Sequence, residues 1–171
     1  MQETAQQYMD RILGHLDSKD PLRVQRETPK RLRKLIKPLS KKQLLKRPLP
    51  EKWSIGEILA HLADTELVGS WRLRSVLGSS GNTIQAYDQD VWAKTFSYSR
   101  RDPKVSLETF RMLRENNIAL LKAIPKSLWK NYGMHQERGK ETITQIVRMF
   151  AGHDVNHLQQ IESIAKASRK R

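Results

Sequence analysis

Two histidines stand four residues apart near the end of the chain, in the run Gly152-His153-Asp154-Val155-Asn156-His157. A helix has 3.6 residues per turn, so both imidazoles would lie on one face, about 6 Å apart along the axis. Two such imidazoles can bind one divalent metal, and a third histidine, His61, lies in another segment with a helical pattern. Spacing alone leaves open a second interpretation, in which each histidine is neutral and hydrogen-bonded in the core. The pattern differs from the H-E-x-x-H motif of zinc proteases, because Asp154 replaces the glutamate that acts as the base in those enzymes.

The chain has 171 residues and no cysteine. Disulfides, a cysteine nucleophile and thiolate ligands are therefore excluded, so histidine or carboxylate must hold any metal. The sequence contains neither an apolar run of about 18 residues nor a leader pattern, which predicts a cytoplasmic protein with no membrane span. Its hydrophobic content of 37% is enough for one core, and we expect a single domain over residues 1–171.

The formal net charge is +14, and it is concentrated in one stretch. Between Arg23 and Arg47 there are eleven Lys or Arg residues and one acid, Glu27. No aromatic residue is interleaved there, so the stacking that supports single-strand recognition is missing. We therefore interpret the stretch as a solvated helical face and do not expect a nucleic-acid partner. A small-molecule substrate and a homodimer are both compatible with the composition.

Capping residues and prolines divide the chain into helices. Ser54 and Glu57 form a capping box, which predicts a helix that ends near Gly78. The predicted helices span residues 4–16, 27–36, 54–78, 102–124 and 142–167, with a short capped turn after Ser40. Residues 79–101 are expected to form a long ordered connection, and no credible pair of strands is found. These elements predict an all-α fold, a four-helix bundle with long connections.

The histidines should project into this bundle. On the last helix, at 100° per residue, they share a face with Ile146, Met149, Phe150, Gln160 and Ile164. On the helix that begins at Ser54, His61 lies at the edge of the apolar stripe. A bundle that brings these two edges together would create an apolar-walled site with three nitrogen ligands.

Four segments together carry a resemblance to a known family. They are Lys52–Glu66, Tyr87–Trp92, Gly133–Gly139 and Gly152–Ile161. In this order they resemble the DinB superfamily of metal-binding helical bundles, which includes YfiT-like proteins and the bacillithiol and mycothiol S-transferases. The resemblance covers most of the chain. It implies an up-down-down-up bundle and a divalent metal, often nickel or zinc, held by His61, His153 and His157.

Three neutral imidazoles leave a coordination position for substrate or water, as in catalytic zinc sites. The resemblance makes a thiol S-transferase our leading interpretation, with a low-molecular-weight thiol such as bacillithiol as cosubstrate and a small electrophile as its target. The first alternative is a metal-dependent hydrolase. The second is a non-catalytic, stress-associated binding protein whose metal only braces the bundle, and this one predicts a closed, dry site.

Two further residues are weak catalytic candidates. Glu66 falls close to an apolar stripe, where an unpaired carboxylate is costly, so we expect it to form a structural ion pair or to be functional. The ion pair is favoured. Gln160 shares the face of the histidines, where it would orient a water molecule or form a hydrogen bond in the core.

Four more residues are weak candidates for substrate contacts. Arg72 shares the His61 edge of its helix almost three turns away and would contact an anionic ligand far from the metal. Asp88 and Trp92 lie in the connection expected to cover one end of the bundle, and Trp92 is interpreted as packing. His135 precedes the last helix, where a surface position is the favoured interpretation.

Overall fold

The computed structural model describes residues 3–169, which form seven helices and three short strands. The helices are α1 (Ala5–Leu16), α2 (Pro21–Ile36), α3 (Lys41–Leu45), α4 (Ile55–Gly78), α5 (Gln89–Thr95), α6 (Pro103–Ala123) and α7 (Ile143–Arg169). The strands are β1 (Thr83–Ile84), β2 (Tyr132–His135) and β3 (Gly139–Thr142), and 3-10 turns cover Tyr98–Arg100 and Lys126–Lys130. None of the helices within residues 3–169 is both long and apolar enough to cross a membrane.

Helices α2, α4, α6 and α7 form the bundle. Helices α4 and α6 run parallel. Glu66 of α4 contacts Arg114 of α6, and further along both helices Arg74 contacts Asn117. Helix α2 runs antiparallel to α6 and parallel to α7. The side-chain amide of Gln25 on α2 donates to the backbone carbonyl of Val147 on α7 at 2.7 Å. The arrangement is therefore up-down-down-up, and the expected four-helix bundle is confirmed. Helix α1 packs on the outside of α7.

Two apolar clusters lie at opposite ends of the bundle, and polar side chains lie between them. On α4 the first cluster takes Ile55 to Ala63 and the second takes Leu73 and Val76. The residues between these clusters on the three long helices include Glu66, Arg114, Asn117 and Asp154, all of them buried. We call these four residues the polar layer. His153 adjoins Asp154 at this level of the bundle, whereas His61 and His157 are neighbours in sequence of residues of the first cluster.

Helix starts follow capping residues, and the sequence indicated the caps at Ser54, Asp102 and Thr142. Thr4 and Ser54 each form a complete capping box, with Gln7 and Glu57 as the reciprocal partners. Asp102 caps α6 ahead of Pro103, and Thr142 exchanges hydrogen bonds with Gln145 at the start of α7. A side-chain oxygen satisfies an otherwise unpaired amide in each case, which is why these positions fix the boundaries.

The predicted start of α2 at residue 27 is wrong. The helix begins at Pro21, which occupies its first turn after the Asp20 cap, a position that suits proline. Pro29 lies inside the same helix and has no amide hydrogen for the Gln25 carbonyl. The Arg114 guanidinium donates to that carbonyl instead, at 3.1 Å. A residue from another helix thus replaces the hydrogen bond that the proline removes.

The expectation that the chain has no strand pair is also wrong. Strand β2 pairs with β1 in parallel and with β3 antiparallel, which gives a three-stranded sheet in the order β1-β2-β3. The β2–β3 turn reaches Gly139 with a φ of 73°, a left-handed conformation that suits glycine. Residues 79–102, which we call the crossover, connect α4 to α6 and contain β1, α5 and a 3-10 turn, so they are more structured than a plain connection.

Gly152 is required where α1 crosses α7. A methyl group at this position would collide with the backbone carbonyl of Ile12. We therefore expect Gly152→Ala to destabilise the protein by about 1 to 3 kcal/mol, because α1 must move away from α7. A methyl group on Gly14 would meet no described atom within 4 Å, so Gly14→Ala is the control and should stabilise α1 by about 0.5 to 1 kcal/mol. Urea unfolding of both variants measures the difference, and equal effects would contradict the close approach.

Candidate metal centre

The structure brings His61, His153 and His157 together, and we call them the three-histidine cluster. Helix α4 supplies His61, and one turn of α7 supplies the other two. The Nε2 atom of His153 lies 3.0 Å from Nε2 of His61 and 3.1 Å from Nε2 of His157. One ligand atom from each ring lies within 4.8 Å of the others. The expected meeting of the two helix edges therefore occurs.

The cluster is buried but not sealed. Relative exposures are 1% for His61, 9% for His153 and 7% for His157. Burial lowers the pKa of His157 to about 4 and holds the pKa values of His61 and His153 well below 6.5. All three rings are therefore neutral at pH 7, which leaves each with a nitrogen lone pair.

Gln160 fixes the tautomer of one ring. Its Oε1 atom lies 2.8 Å from Nδ1 of His157, and an amide oxygen can only accept, so Nδ1 carries the proton. The lone pair of His157 is then on Nε2, the atom that faces His153. Gln160 thus sets the orientation of an imidazole through a hydrogen bond, which is one of the two roles that the sequence suggested for it.

We expect Gln160→Ala to weaken metal binding roughly 10- to 100-fold, because the His157 ring loses the partner that sets its tautomer and orientation. Gln159, the exposed neighbour on α7, provides a matched control, and Gln159→Ala should bind metal as the wild type does. Competition against a chromophoric chelator measures both affinities. An unchanged affinity in Gln160→Ala would exclude the orienting role.

The donor set fits a divalent transition metal. Nitrogen ligands at about 2.1 Å from a metal stand roughly 3.0 to 3.4 Å apart, depending on the coordination geometry. The two Nε2 separations around His153 agree with this range. Neutral lone pairs at such separations repel one another unless a cation or shared protons lie between them. Imidazole nitrogens suit nickel and zinc, as well as copper and iron.

Two adjoining cavities reach the cluster, and Tyr8, Gln89 and His153 line both of them. Cavity A has a volume of about 460 Å³, and the residues along its length include Tyr8, His61, Arg72, Tyr87, His135 and His153. Cavity B has a volume of about 600 Å³, with Arg11, Trp53, His153, His157, Gln160 and Ile164 among its walls. Because His153 lines both, a ligand in either cavity can approach the same nitrogen atoms.

Thr65 and Tyr87 extend the polar wall of cavity A beside the cluster. The Thr65 hydroxyl lies 3.4 Å from Nε2 of His61 and 2.8 Å from the Tyr87 hydroxyl. Burial raises the pKa of Tyr87, so its hydroxyl is protonated at neutral pH and can donate a hydrogen bond. The Tyr87 side chain comes from the crossover, and no pattern in the sequence indicates that it reaches α4.

His135 is buried, so its expected surface position is wrong. It is 3% exposed because it lies in β2, a strand that the sequence pattern does not indicate. It lines cavity A together with Arg72. Arg72 and His135 therefore line the same cavity as His61 and His153. On α4, Arg72 lies about three helical turns from His61.

Glu66 forms the expected ion pair. Its carboxylate accepts from Arg114 at 2.7 Å and from Asn117 at 2.8 Å. Asp154 accepts from the same guanidinium, which is 1% exposed. Burial alone would lower the pKa of Arg114, but Asp154 and Glu66 raise it above its usual value. Both carboxylates are therefore held in the polar layer next to the cluster.

Asp88 and Trp92 have local contacts. The Asp88 carboxylate accepts from the Asp90 and Val91 amides and thus caps α5. Trp92 lies between two other aromatic rings, with centroids 4.5 Å from Tyr87 and 5.2 Å from Phe96. Trp92 therefore packs as expected, and neither residue lies among the walls of cavities A and B.

Comparisons with known proteins agree with this geometry. The model of the DinB superfamily matches residues 26–161. The protein BH0277 of Halalkalibacterium halodurans, which bears the name "Putative metal-dependent hydrolase", is 25% identical over 134 residues, 78% of either chain. YfiT of Bacillus subtilis, which bears the same designation, is 23% identical over 147 residues, 85% of this chain and 82% of its own.

A solved structure shows the same fold. Its description reads "YfiT from Bacillus subtilis is a probable metal-dependent hydrolase with an unusual four-helix bundle topology", and it covers 86% of this chain and 85% of its own. The TM-score is 0.80 at 21% sequence identity. Because the family model spans most of the sequence and the bundle has this topology, the chain belongs to the DinB superfamily.

Proposed function

We propose that the three-histidine cluster holds one divalent metal, nickel or zinc, and that the protein is an enzyme that joins a low-molecular-weight thiol to a small electrophile. The observation that carries this proposal is the position of three neutral imidazole nitrogens where two cavities approach each other. When bound, such a metal supplies a Lewis acid that lowers the pKa of a thiol.

The two cavities suit two substrates. One cavity would hold the thiol and the other the electrophile, with both reacting groups near His153. A sulfur–carbon bond forms, the leaving group departs with the electron pair of the bond that breaks, and the thiol proton passes to solvent. This chain contributes the walls that hold both molecules and the hydroxyls of Thr65 and Tyr87, which can donate to an oxygen of the electrophile.

Hydrolysis is the second candidate, and the names of the relatives favour it. Water in cavity A could be oriented by the Thr65 and Tyr87 hydroxyls. A carboxylate could act as the base for this water molecule, but the buried carboxylates beside the cluster are engaged in ion pairs. The carboxylates that line the two cavities, Glu3, Glu51, Asp90 and Glu137, are exposed. Arg114 holds Glu66 and Asp154, and Arg101 holds Asp64 at 2.8 Å. We therefore rank thiol transfer first.

The discriminating experiment uses cobalt- or nickel-reconstituted protein. Titration with bacillithiol, followed by absorption, should give a thiolate-to-metal band, and an alkyl halide electrophile should then consume thiol and release halide in equal amounts. Ester hydrolysis without thiol consumption would support the hydrolase. A tightly bound metal that neither thiols nor chelators reach would support a structural brace. His157→Ala should lose any activity that the wild type shows.

A further inference from the structure

Arg72 is a buried cation without an anionic partner in the described part of the chain. It is 6% exposed, and within residues 3–169 no carboxylate forms an ion pair with it. Its Nη2 atom donates to the Gln85 carbonyl at 2.6 Å, and its Cζ atom lies 5.9 Å from the centre of the Tyr87 ring. Its Nε atom is buried and has no hydrogen-bond partner among these residues. Buried charges are normally paired, so this arrangement is costly unless a ligand completes it.

His135 presents a second unsatisfied donor in the same cavity. Its Nδ1 atom accepts from the Glu137 amide at 3.2 Å, so the neutral ring carries its proton on Nε2. That Nε2 atom is also buried, and no residue that the structure describes accepts from it. Burial lowers the pKa of His135 to about 4, so the ring is a neutral donor at pH 7. Arg72 and His135 both line cavity A, and each has a buried N–H group that lacks an acceptor among the described residues.

The surrounding charges favour an anion. Burial has the largest effect on the pKa values of Arg72 and His135 and lowers both. Arg138 lowers them further, whereas Glu141, which pairs with Arg138 at 2.6 Å, raises them. Two carboxylates line the cavity, and Glu3 is already held by Arg11 at 2.8 and 2.9 Å. The other, Glu137, is exposed and forms no ion pair with Arg72. Because Glu141 pairs with Arg138, Arg72 is the cation in the walls of cavity A that no ion pair within residues 3–169 neutralises.

We propose that Arg72 and His135 form a subsite for a carboxylate or phosphate group at one end of the substrate, whose reacting end lies at the three-histidine cluster. Arg72 follows His61 by eleven residues on α4, about 16 Å along the axis. Its long side chain leans back towards the helix N-terminus, which shortens the gap. The substrate class is thus an elongated small molecule with a terminal anion. The position of the reacting end rests on the proposed function, whereas the anion subsite does not.

The subsite can be tested in metal-free protein. Inorganic phosphate and succinate are titrated separately while the Arg Nε–H resonances are followed by NMR. We expect saturable binding of at least one of the two, a shift of the Arg72 resonance, and an affinity at least tenfold lower in Arg72→Gln. The control Arg148→Gln removes an exposed arginine outside the cavity and should bind as the wild type does. Equal binding by wild type and Arg72→Gln, or no saturation with either anion, would overturn the subsite.

A second variant and a second ligand pair complete the test. If Arg72→Gln does not fold, the wild-type Arg72 resonance and the variant His135→Phe give the answer, since His135→Phe should also bind more weakly. In cobalt-loaded protein, a long-chain mercaptoalkanoate should bind at least tenfold more tightly than the alkanethiol of equal length, and Arg72→Gln should remove the difference. If neither thiol reaches the metal while phosphate or succinate still shifts Arg72, the proposed function fails and the subsite stands.

Discussion

Replacing His157 by alanine is expected to remove most of the metal from the purified protein, from near one ion per chain to a small fraction. Two imidazole nitrogens and water would remain as ligands. The loss of metal affinity should therefore exceed the roughly 10- to 100-fold that is typical when a residue hydrogen-bonded to a ligand is replaced. His153→Ala should behave alike, because His153 lies between the other two rings. Elemental analysis of untagged protein measures the content.

The matched control is His15→Ala. His15 lies in the last turn of α1, outside the three-histidine cluster, so its removal should leave the metal content unchanged. Circular dichroism should show that all the variants remain helical. Unchanged metal content in both His153→Ala and His157→Ala would refute the proposed ligand set and return these histidines to a purely structural role.

Arg114→Met should be the most damaging single substitution in the bundle interior. It leaves Glu66 and Asp154 buried without their cation and the Gln25 carbonyl without a donor. Breaking a buried charge pair in this way costs about 3 to 5 kcal/mol. Urea unfolding of metal-free protein measures the loss separately from any contribution of metal binding.

Arg148→Met provides the comparison, because this arginine is exposed and its loss should change the free energy of unfolding by no more than about 0.5 kcal/mol. A triple variant that replaces Arg114, Glu66 and Asp154 with apolar residues of similar volume should recover much of the lost stability. A loss below about 1 kcal/mol in Arg114→Met would show that the polar layer is not held by this guanidinium.

Local signals explain why the helices could be predicted. A capping side chain acts on amides two or three residues away, so Ser54 and Thr142 identify helix starts without knowledge of the fold. The H-x-x-x-H spacing likewise predicts that two imidazoles share a face. The prediction that His61 joins these two histidines rested on its place at the edge of the apolar stripe of α4 and on the family resemblance.

The late predicted start of α2 overlooked a local signal, the Asp20 cap followed by Pro21. The other errors concern contacts between residues distant in the sequence. Strands of two to four residues carry too little periodicity to be recognised, and β1 pairs with β2 across about 50 positions. The expected surface position of His135 is wrong for this reason. No sequence pattern distinguishes Arg114, because its role depends on donating hydrogen bonds to three groups on other helices. These groups are Glu66, Asp154 and the Gln25 carbonyl.

Because α4 and α6 are parallel, the segment that connects them must run the length of the bundle, from the end of α4 to the start of α6. The crossover is this segment, and its residues Tyr87 and Gln89 line cavity A. None of the three histidines belongs to it. Insertions or substitutions in this segment can therefore reshape the space offered to a substrate while the helices that carry the imidazoles stay as they are. We expect relatives to differ more in this segment than in the helices that carry the histidines.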